Sequence, residues 1–290
     1  MKERIEGALE RCLSALDDAD TPPRLRQALR AAVFPGGARL RPRLLLTVVE
    51  AHGDPAPDLA DAAAVAVELL HCSSLVHDDL PCFDDAALRR GQPTIHRGFG
   101  ESTAVLVGDG LIFLAVETLT NVAAVDFPKA AATLKELMRA AGPREGLVCG
   151  QALEGEAHID LGSYHRAKTG ALFEAAAVMG ALVVGADPVP YQRMAMELGL
   201  AYQIADDMLD HQGGPSTGGK TGNQDQRKGR PNAVASLGLS GAQERIEGHR
   251  AIALSHVEGL PDSGRLVVLI EHTVSRLVNA VNPMSSASSG

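Results

Sequence analysis

Two clusters of aspartates are the residues of this 290-residue chain whose types and spacing are best suited to chemistry. The first spans residues 77–85 and reads His-Asp-Asp-Leu-Pro-Cys-Phe-Asp-Asp, at the end of a long apolar segment. The second spans residues 206–210, Asp-Asp-Met-Leu-Asp, inside another apolar segment. Carboxylates this close repel one another, and apolar surroundings raise the cost of charging them. Mg²⁺ relieves such repulsion, because it takes oxygen ligands and bridges carboxylates to substrate phosphates.

The spacing within each cluster indicates how its carboxylates meet. Asp206 and Asp210 are four residues apart, so a helix projects both from one face, with Gln203 about one turn earlier. In the first cluster Pro81 ends regular helix, so we expect Asp84 to return toward the start of the cluster through a turn. For either cluster alone, an exposed acidic helix end is the simpler interpretation. Two clusters, each in an apolar context, favour metal binding.

Basic side chains near the clusters could hold phosphate oxygens that a metal leaves exposed. Arg offers a planar fork that fits phosphate with two hydrogen bonds, and Lys offers a mobile point charge. Alone, each is more often a solvated surface charge, so their position beside the clusters gives them weight. The candidates are Arg39, Arg41, Arg89, Arg90, Lys168, Lys220 and Arg230. His71 lies on nearly the same helix face as Asp78, as either a buried core residue or a diphosphate contact.

The composition predicts helices to carry these residues. Ala and Leu are frequent while aromatic residues make up 3% of the chain, which favours helix over sheet. Pro and Gly separate about ten helical segments. The clearest predicted helices are Leu59–Val76, Val105–Leu119 and Tyr191–Leu209. No stretch alternates like a strand, so we predict no sheet and one all-α domain over residues 1–281, a helical bundle around a central cavity, with a disordered Ser-rich tail at 282–290.

Charge and hydropathy exclude several classes of protein. A net charge of −9 argues against nucleic acid as a partner, because a phosphate backbone needs clustered Lys and Arg. The four cysteines form no CxxC pair, which is typical of reduced thiols. The longest apolar stretch, 175–186, has about twelve residues, too few for a bilayer core of roughly 30 Å. The N-terminus is amphipathic and lacks a secretory apolar run, so we expect a cytoplasmic protein that is not membrane-embedded.

Seven stretches of the chain together resemble one protein family, the trans-isoprenyl diphosphate synthases. Within it the sequence is similar to the bacterial geranylgeranyl diphosphate synthases of carotenoid and bacteriochlorophyll biosynthesis. The resemblance covers nearly the whole chain, and two Asp-rich clusters with an Arg pair between them are a highly specific signature. The matching stretches are 34–42, 68–96, 108–109, 150–151, 168–172, 203–210 and 230–234.

The resemblance implies a Mg²⁺-dependent prenyltransferase, and a homodimer, that joins isopentenyl diphosphate to an allylic diphosphate (dimethylallyl, geranyl or farnesyl). Small-molecule diphosphates are the implied partners. The implied metal-binding residues are Asp78, Asp79, Asp84, Asp206, Asp207 and Asp210. Arg89, Lys168 and Lys220 are implied to contact the allylic diphosphate, and Arg41, His71 and Arg90 the isopentenyl diphosphate. Thr169 and Gln203 are implied to face the reacting allylic carbon.

The sequence departs from the family pattern at several positions. Ala38 stands where most members have a Lys that binds isopentenyl diphosphate, so that site loses one cation, which Arg39 or a water could replace. Glu154 replaces a common Asp, Tyr202 a common Phe, and Arg230 a common Lys. The loss at Ala38 bears on affinity for isopentenyl diphosphate and leaves the reaction type unchanged.

Product length should depend on the depth of the pocket below Asp78. Ser73 and Ser74 lie a turn or more below that residue, where short-product relatives carry an aromatic that forms a floor. Small residues there predict the longer product, geranylgeranyl diphosphate. The main alternative is a synthase that makes farnesyl or a longer diphosphate. A non-catalytic subunit of a heteromeric synthase and a terpene cyclase are further alternatives, although both clusters are complete and the second is Asp-rich.

Overall fold

The structure is a computed structural model that describes residues 1–17, 20–124, 126–211 and 232–281. The described chain is helical almost throughout, which confirms the predicted all-α class. A π-helical turn, Arg166–Gly170, lies between the helices Leu161–His165 and Ala171–Val184. The helices are α1 Lys2–Ser14, α2 Pro23–Val33, α3 Leu40–Ala51, α4 Pro57–Asp78, α5 Ile95–Phe99, α6 Glu101–Asn121, α7 Phe127–Ala141, α8 Leu147–Leu153, α9 Leu161–His165, α10 Ala171–Val184, α11 Val189–His211, α12 Ala233–Ser255 and α13 Ser263–Val281.

The helices of residues Met1–Met138 and Ala175–Asp187 form the first of two compact units. In this unit α4 is central and packs against α1, α2, α3 and α6. At Gly108 of α6 a Cβ would lie 2.0 Å from Nε2 of His77 on α4, so the glycine leaves the space that this imidazole occupies. The close packing of α4 and α6 therefore fixes the helix that ends at the first aspartate cluster.

The second unit contains Arg139–Glu174 and Pro188–Gly290. Here α11 packs against α12, α13 and the π-helical turn. At Gly150 of α8 a Cβ would lie 2.5 Å from the backbone nitrogen of Lys168, so α8 and the π-helical turn meet backbone to backbone. π-helical turns often occur at functional sites, and this one carries two residues of the predicted site, Lys168 and Thr169.

The long helices that the apolar periodicity predicts are present. The predicted runs Leu59–Val76 and Tyr191–Leu209 lie within α4 and α11, each of which extends two residues further at both ends. Val105–Leu119 lies within α6. Pro at the first turn of α2 and of α4 starts those helices, because its missing N–H is unpaired at a helix start anyway. The prediction of one domain over 1–281 stays a prediction.

The prediction of no sheet was wrong in one detail. Two short strands, β1 Leu88–Arg89 and β2 Gln92–Pro93, pair antiparallel with Arg89 opposite Gln92. The turn between them has positive φ at Arg90 (53°) and Gly91 (76°), which matches a type I′ hairpin turn. Strands of two residues are too short to produce an alternating pattern, so periodicity cannot detect them.

Three helical segments are long and apolar enough, by length and composition, to cross a membrane: Pro57–Asp78, Glu101–Asn121 and Leu161–Val184. The longest apolar stretch counted from the sequence, about twelve residues, is shorter than these segments. The difference arises because Ala, Gly, Ser and Thr lengthen each segment without adding charge. The most apolar windows of the first and third segments are 78% and 83% buried within the chain. That of Glu101–Asn121 is 33% buried.

Candidate active site

The first aspartate cluster begins where α4 ends. The last helical residue is Asp78, and the chain then turns so that the backbone N–H of Asp84 donates to the carbonyl oxygen of Asp78 at 2.9 Å. This confirms the predicted return of Asp84 toward the start of the cluster. The carboxylates of Asp78 and Asp84 are both buried, at 8% and 7% exposure of the residue. Two buried carboxylates at the negative end of a helix dipole form a place where a cation is favoured.

Asp79 is engaged by Arg89 of the hairpin. The Nε and Nη2 groups of Arg89 each donate to one oxygen of Asp79 at 2.6 Å, a two-point pair between planar groups. Burial lowers the pKa of Arg89, but its hydrogen bonds to Asp79 and the charges of Asp79 and Asp78 raise it above the ordinary value. Nη2 of Arg89 also lies 3.8 Å from Oδ2 of Asp78. The predicted diphosphate ligand Arg89 and the first cluster therefore share one site.

The loop after the cluster is tied to α5. Asp85 adopts a positive φ of 47°, a conformation that costs free energy for a non-glycine residue. Its carboxylate accepts a hydrogen bond from Nη2 of Arg97 at 2.8 Å. Thr94 donates to the carbonyl oxygen of Ala86 at 2.7 Å. These contacts hold the loop that returns Asp84 to the helix end.

Arg41, His71 and Arg90, which the sequence predicts to bind isopentenyl diphosphate, are gathered in the first unit. Burial, followed by the charges of Arg41 and Arg90, lowers the pKa of His71 well below its usual value, so this histidine is neutral at pH 7. A Cβ on Gly37 would lie 2.8 Å from Nη2 of Arg90, so the glycine leaves the space that this guanidinium occupies. A neutral histidine among arginines suits an anionic ligand, because it donates a hydrogen bond without adding to their repulsion.

Arg39 has a different environment from the one expected of a substrate ligand. It is 3% exposed, precedes α3 with a positive φ of 51°, and directs its guanidinium to protein acceptors. Nη1 donates to Glu68 at 2.7 Å, Nε to Glu6 at 2.9 Å, and Nη2 to the Val33 carbonyl at 2.9 Å. A direct contact between Arg39 and isopentenyl diphosphate stays a prediction, and these bonds favour a structural role.

The two serines expected to set product length differ in their surroundings. Ser73 is buried at 2% exposure and donates from Oγ to the carbonyl oxygen of Gly108 on α6 at 2.8 Å. Ser74 is half-buried and donates to the carbonyl of His71 in its own helix at 2.8 Å. Ser73 therefore fills space between two helices, whereas Ser74 makes no hydrogen bond to another helix in the described residues.

In the second unit Thr169, Gln203 and Asp207 form one hydrogen-bonded chain. Thr169 Oγ1 donates to Oε1 of Gln203 at 2.5 Å, and Nε2 of Gln203 donates to Oδ1 of Asp207 at 2.9 Å. Oδ2 of Asp207 accepts the backbone N–H of Ala233 at 2.7 Å, at the first residue of α12. The network joins the π-helical turn, α11 and α12, and it includes both residues predicted to face the allylic carbon.

Lys168 is paired with Glu154, one of the residues that depart from the family pattern. Its ammonium contacts Oε1 of Glu154, which also accepts a hydrogen bond from the Tyr164 hydroxyl at 2.8 Å. Nζ lies 5.8 Å from the centre of the Tyr164 ring. This lysine therefore contacts a carboxylate and lies near an aromatic face.

The remaining residues of the predicted site lie either in α11 or outside the described residues. Asp206 and Asp210 both lie in α11, and Asp210 is 8% exposed. Lys220, Arg230 and the tail 282–290 lie outside the described residues. Within the described ranges no three Asp, Glu, His or Cys side chains converge closely enough to hold a metal ion by themselves. Carboxylates in ones and twos fit Mg²⁺, which typically completes its shell with waters and substrate phosphates.

Sequence reasoning missed the residues that support the site from behind. Glu68 is 2% exposed in the middle of apolar α4, and this burial of a carboxylate among apolar residues was a usable signal. Glu6 lies on α1 and gives no such signal, because its partner Arg39 is 33 positions away in the sequence. His165, at 5% exposure, lies 3.5 Å from Oδ2 of Asp207.

The described chain is helical apart from one short hairpin, and it carries two aspartate clusters, the first of which is paired with Arg89. The chain belongs to the polyprenyl synthetase family, whose model matches residues 22–256 and so includes both clusters.

Individual relatives are similar to this protein over almost the entire chain. A geranylgeranyl diphosphate synthase of Cereibacter sphaeroides is 43% identical, over 96% of this chain and 97% of its own. A geranylgeranyl diphosphate synthase of Rhodobacter capsulatus is 44% identical, over 93% of this chain and 94% of its own. A crystal structure of geranyltransferase from Helicobacter pylori, complexed with magnesium and isoprenyl diphosphate, matches with a TM-score of 0.76 at 30% identity, over 96% of both chains.

Proposed function

We propose that this protein is a Mg²⁺-dependent geranylgeranyl diphosphate synthase. The observation that carries the proposal is the family match, which spans both aspartate clusters, together with relatives of that activity at 43% and 44% identity over nearly the whole chain. The enzyme joins isopentenyl diphosphate to an allylic diphosphate by ionisation, condensation and elimination. The placement of the product in carotenoid or bacteriochlorophyll synthesis, and of the enzyme in the cytoplasm, stays a prediction.

We infer that Asp78 and Asp84 from the first cluster, and Asp206 and Asp210 from the second, hold Mg²⁺ against one allylic diphosphate. The buried carboxylates of Asp78 and Asp84 support this, as does the magnesium and isoprenyl diphosphate in the structure of a relative. Bound Mg²⁺ would supply Lewis-acid stabilisation of the negative charge on the diphosphate leaving group. Arg89, and Lys168 released from Glu154, bind the same diphosphate and add preorganised positive charge.

Ionisation breaks the allylic C–O bond and leaves an allylic carbocation beside the diphosphate anion. Thr169 and Gln203 face that cation with oxygen atoms and do not capture it. Arg41, Arg90 and neutral His71 hold isopentenyl diphosphate so that its double bond attacks the cation and forms the new C–C bond. The resulting cation loses a proton to the departed diphosphate, since none of the motif residues is an obvious base. Exclusion of water protects the cation from hydrolysis.

The enzymatic test needs only the purified chain, Mg²⁺, radiolabelled isopentenyl diphosphate and farnesyl diphosphate. We expect incorporation that stops on addition of a chelator, and a C20 product by chromatography. A chain that incorporates no label would contradict the proposal and favour the non-catalytic subunit. A product of a different length would keep the reaction and overturn the geranylgeranyl assignment.

Product length is tested at Ser73 and Ser74, which we propose lie along the path of the growing chain. Ser73→Tyr should shorten the product toward farnesyl diphosphate. Because Ser73 fills space against α6, Ser74→Phe provides a second variant at the half-buried neighbour. Ser73→Ala is the matched control, since it removes only the hydroxyl and should keep the C20 product. A full-length product from both aromatic variants would overturn this assignment.

We infer that the protein is a homodimer with α6 at its interface. This helix exposes a row of large apolar side chains, with Val105 at 43%, Leu106 at 58% and Phe113 at 73% exposure. Apolar surface of this kind on a folded chain commonly marks an interaction site. Light scattering should give twice the 30.3 kDa chain mass, and Phe113→Glu should reduce it to the mass of one chain. A monomeric wild type would contradict the inference.

A further inference from the structure

Asp207 of the second cluster accepts hydrogen bonds with both of its carboxylate oxygens. The residue is 1% exposed. Oδ1 accepts from the amide of Gln203 at 2.9 Å, and Oδ2 accepts from the backbone of Ala233 at 2.7 Å. Its own carbonyl oxygen accepts from the side chain of Asn232 at 3.3 Å. Both carboxylate oxygens are thus committed to protein donors.

The bond from Gln203 to Asp207 fixes which end of the Gln203 amide points to Thr169. A carboxylate accepts hydrogen bonds and donates none, so the NH₂ group of Gln203 must face Asp207. The amide oxygen then faces the other way, where Thr169 donates to it at 2.5 Å. An amide rotated by half a turn would place NH₂ against Thr169 and an oxygen against the carboxylate, which is repulsive.

The bond from Ala233 ties the same carboxylate to the start of α12. Ala233 is the first residue of this helix, where backbone N–H groups have no partner within the helix. Asn232 caps the helix beside it by accepting the N–H of Val234 at 2.8 Å. A buried carboxylate at this end is also stabilised by the helix dipole. Asp207 therefore anchors the chain where it enters α12.

His165 is a further neighbour of Asp207. Its Nε2 lies 3.5 Å from Oδ2, and burial lowers the pKa of His165 to about 4. The imidazole is therefore neutral at pH 7, so this neighbour does not supply a positive charge to the carboxylate.

We propose that Asp207 is a positioning residue, which orients the Gln203 amide and anchors α12, and that it does not bind the metal. The inference rests on the proposed function, under which the oxygens of Gln203 and Thr169 lie at the allylic cation. With the amide held by Asp207, the negative end of its dipole is directed to the side of Thr169. A freed amide can present its positive end there, which opposes ionisation and lowers kcat without changing metal affinity.

The test compares Asp207→Asn with Asp206→Asn in the full-length protein. Thermal unfolding is followed at increasing Mg²⁺ concentration in the presence of inorganic pyrophosphate. A ligand that binds the folded state raises Tm, so this assay measures metal binding without turnover. We expect Asp207→Asn to keep the half-saturating Mg²⁺ concentration within about two-fold of wild type, and Asp206→Asn to raise it about 10-fold or more. An equal increase in both variants would overturn the proposal.

Two further measurements detect positioning itself. The kcat of Asp207→Asn should fall about 10-fold or more with KM little changed, and adding Gln203→Ala should cause little further loss, because both changes disable one unit. Hydrogen exchange of the Ala233 amide should accelerate in Asp207→Asn and stay unchanged in Asp206→Asn. Full additivity of the two losses, or unchanged exchange at Ala233, would overturn the proposal.

Asn232→Ala is the control for a purely structural effect. It removes the cap of α12 but leaves the bond between Asp207 and Gln203, so it should lower Tm while kcat stays near wild type. A kcat loss equal to that of Asp207→Asn would overturn the orienting role. Should Asp207→Asn fail to fold, Asp207→Ser serves in the same assays, since it removes both carboxylate acceptors and keeps a small polar side chain. If wild type itself shows no Mg²⁺-dependent shift, the proposed function fails, whereas the exchange at Ala233 still decides whether Asp207 anchors α12.

Discussion

The two aspartate clusters are similar in sequence, yet the structure holds their second aspartates by different means. Asp79 is held by a charged partner, with both oxygens bonded to Arg89 at 2.6 Å. Asp207 is held by an amide and a backbone N–H, from Gln203 and Ala233. In both clusters an aspartate that the motif offers as a metal ligand is occupied by a side chain or backbone group that has to be kept in place.

The difference follows from where each cluster lies in its helix. Asp78 and Asp79 are at the C-terminal end of α4, where the helix dipole disfavours negative charge, so a cation beside them relieves an unfavourable field. Asp207 lies within α11 and faces the start of α12, whose dipole favours a carboxylate. The end of α4 in the first cluster and the start of α12 near the second therefore give Asp79 and Asp207 different electrostatic surroundings.

The first unit depends on buried charge pairs, and the largest predicted effect tests that dependence. Glu68→Gln leaves the buried guanidinium of Arg39 without its 2.7 Å carboxylate partner. Breaking a buried pair from one side costs about 3–5 kcal/mol in the free energy of unfolding, measured by denaturant titration. Glu10→Gln is the control, because its pair with Arg30 is exposed and is worth about 1 kcal/mol or less. Similar losses in both variants would show that burial does not matter here.

The second prediction is that the first aspartates of the two clusters are equivalent in catalysis. Asp78→Asn and Asp206→Asn should each lower kcat about 10²- to 10³-fold, because each removes a ligand to the metal that stabilises the leaving group. Steady-state kinetics with saturating isopentenyl diphosphate measures the loss. Asp17→Asn, at an exposed ion pair with Arg26, should leave kcat unchanged. A loss of kcat in only one of these two variants would contradict this prediction.

A third prediction uses pH to test whether His165, the neighbour of Asp207, is neutral in the folded protein. His165 stays neutral in the folded protein down to a pKa of about 4, whereas the unfolded chain takes up a proton below about 6.5. The unfolded state thus gains the proton first, and stability falls as pH drops from about 6.5 to about 4. Relative to His165→Gln, wild type should lose about 2 kcal/mol between pH 7 and pH 5 in urea titrations. His158→Gln, at an exposed position, should follow wild type, and a His165→Gln curve parallel to wild type would contradict the prediction.

The smallest predicted effect is at Thr169, the first residue of the hydrogen-bonded chain that runs through Gln203 to Asp207. Thr169→Val removes the hydroxyl that donates to Gln203 and should lower stability by about 1 kcal/mol. Calorimetry measures this change. Thr120→Val is a suitable control, because its hydroxyl bonds only within its own exposed turn in the described residues. Equal stability of Thr169→Val and wild type would show that the network is held without this bond.

Much of this organisation could be predicted from the sequence. Apolar periodicity gave α4, α6 and α11, and Pro81 indicated the turn that returns Asp84 to Asp78. Local spacing is sufficient for such features because helices and turns are set within a few residues. The hairpin that directs Arg89 to Asp79 escaped detection because its strands are only two residues long.

The long-range contacts could not be predicted in the same way. Arg39 looked like a substitute for the cation missing at Ala38, yet Glu6 and Glu68 bind its guanidinium from two other helices. Glu154 was recognised as a departure, but its bond to Lys168 depends on how α8 meets the π-helical turn. One sequence without tertiary contacts does not reveal which acidic residue a given basic residue will meet.

The proposed site is tested most directly by a crystal structure of the protein with Mg²⁺, isopentenyl diphosphate and an unreactive thiolo analogue of the allylic diphosphate. We expect metal ions between one diphosphate and the carboxylates of Asp78, Asp84, Asp206 and Asp210. We also expect Asp207 to keep its bonds to Gln203 and Ala233. Metal ions bound by Asp207, or a diphosphate in contact with only one aspartate cluster, would show that the proposed site is wrong.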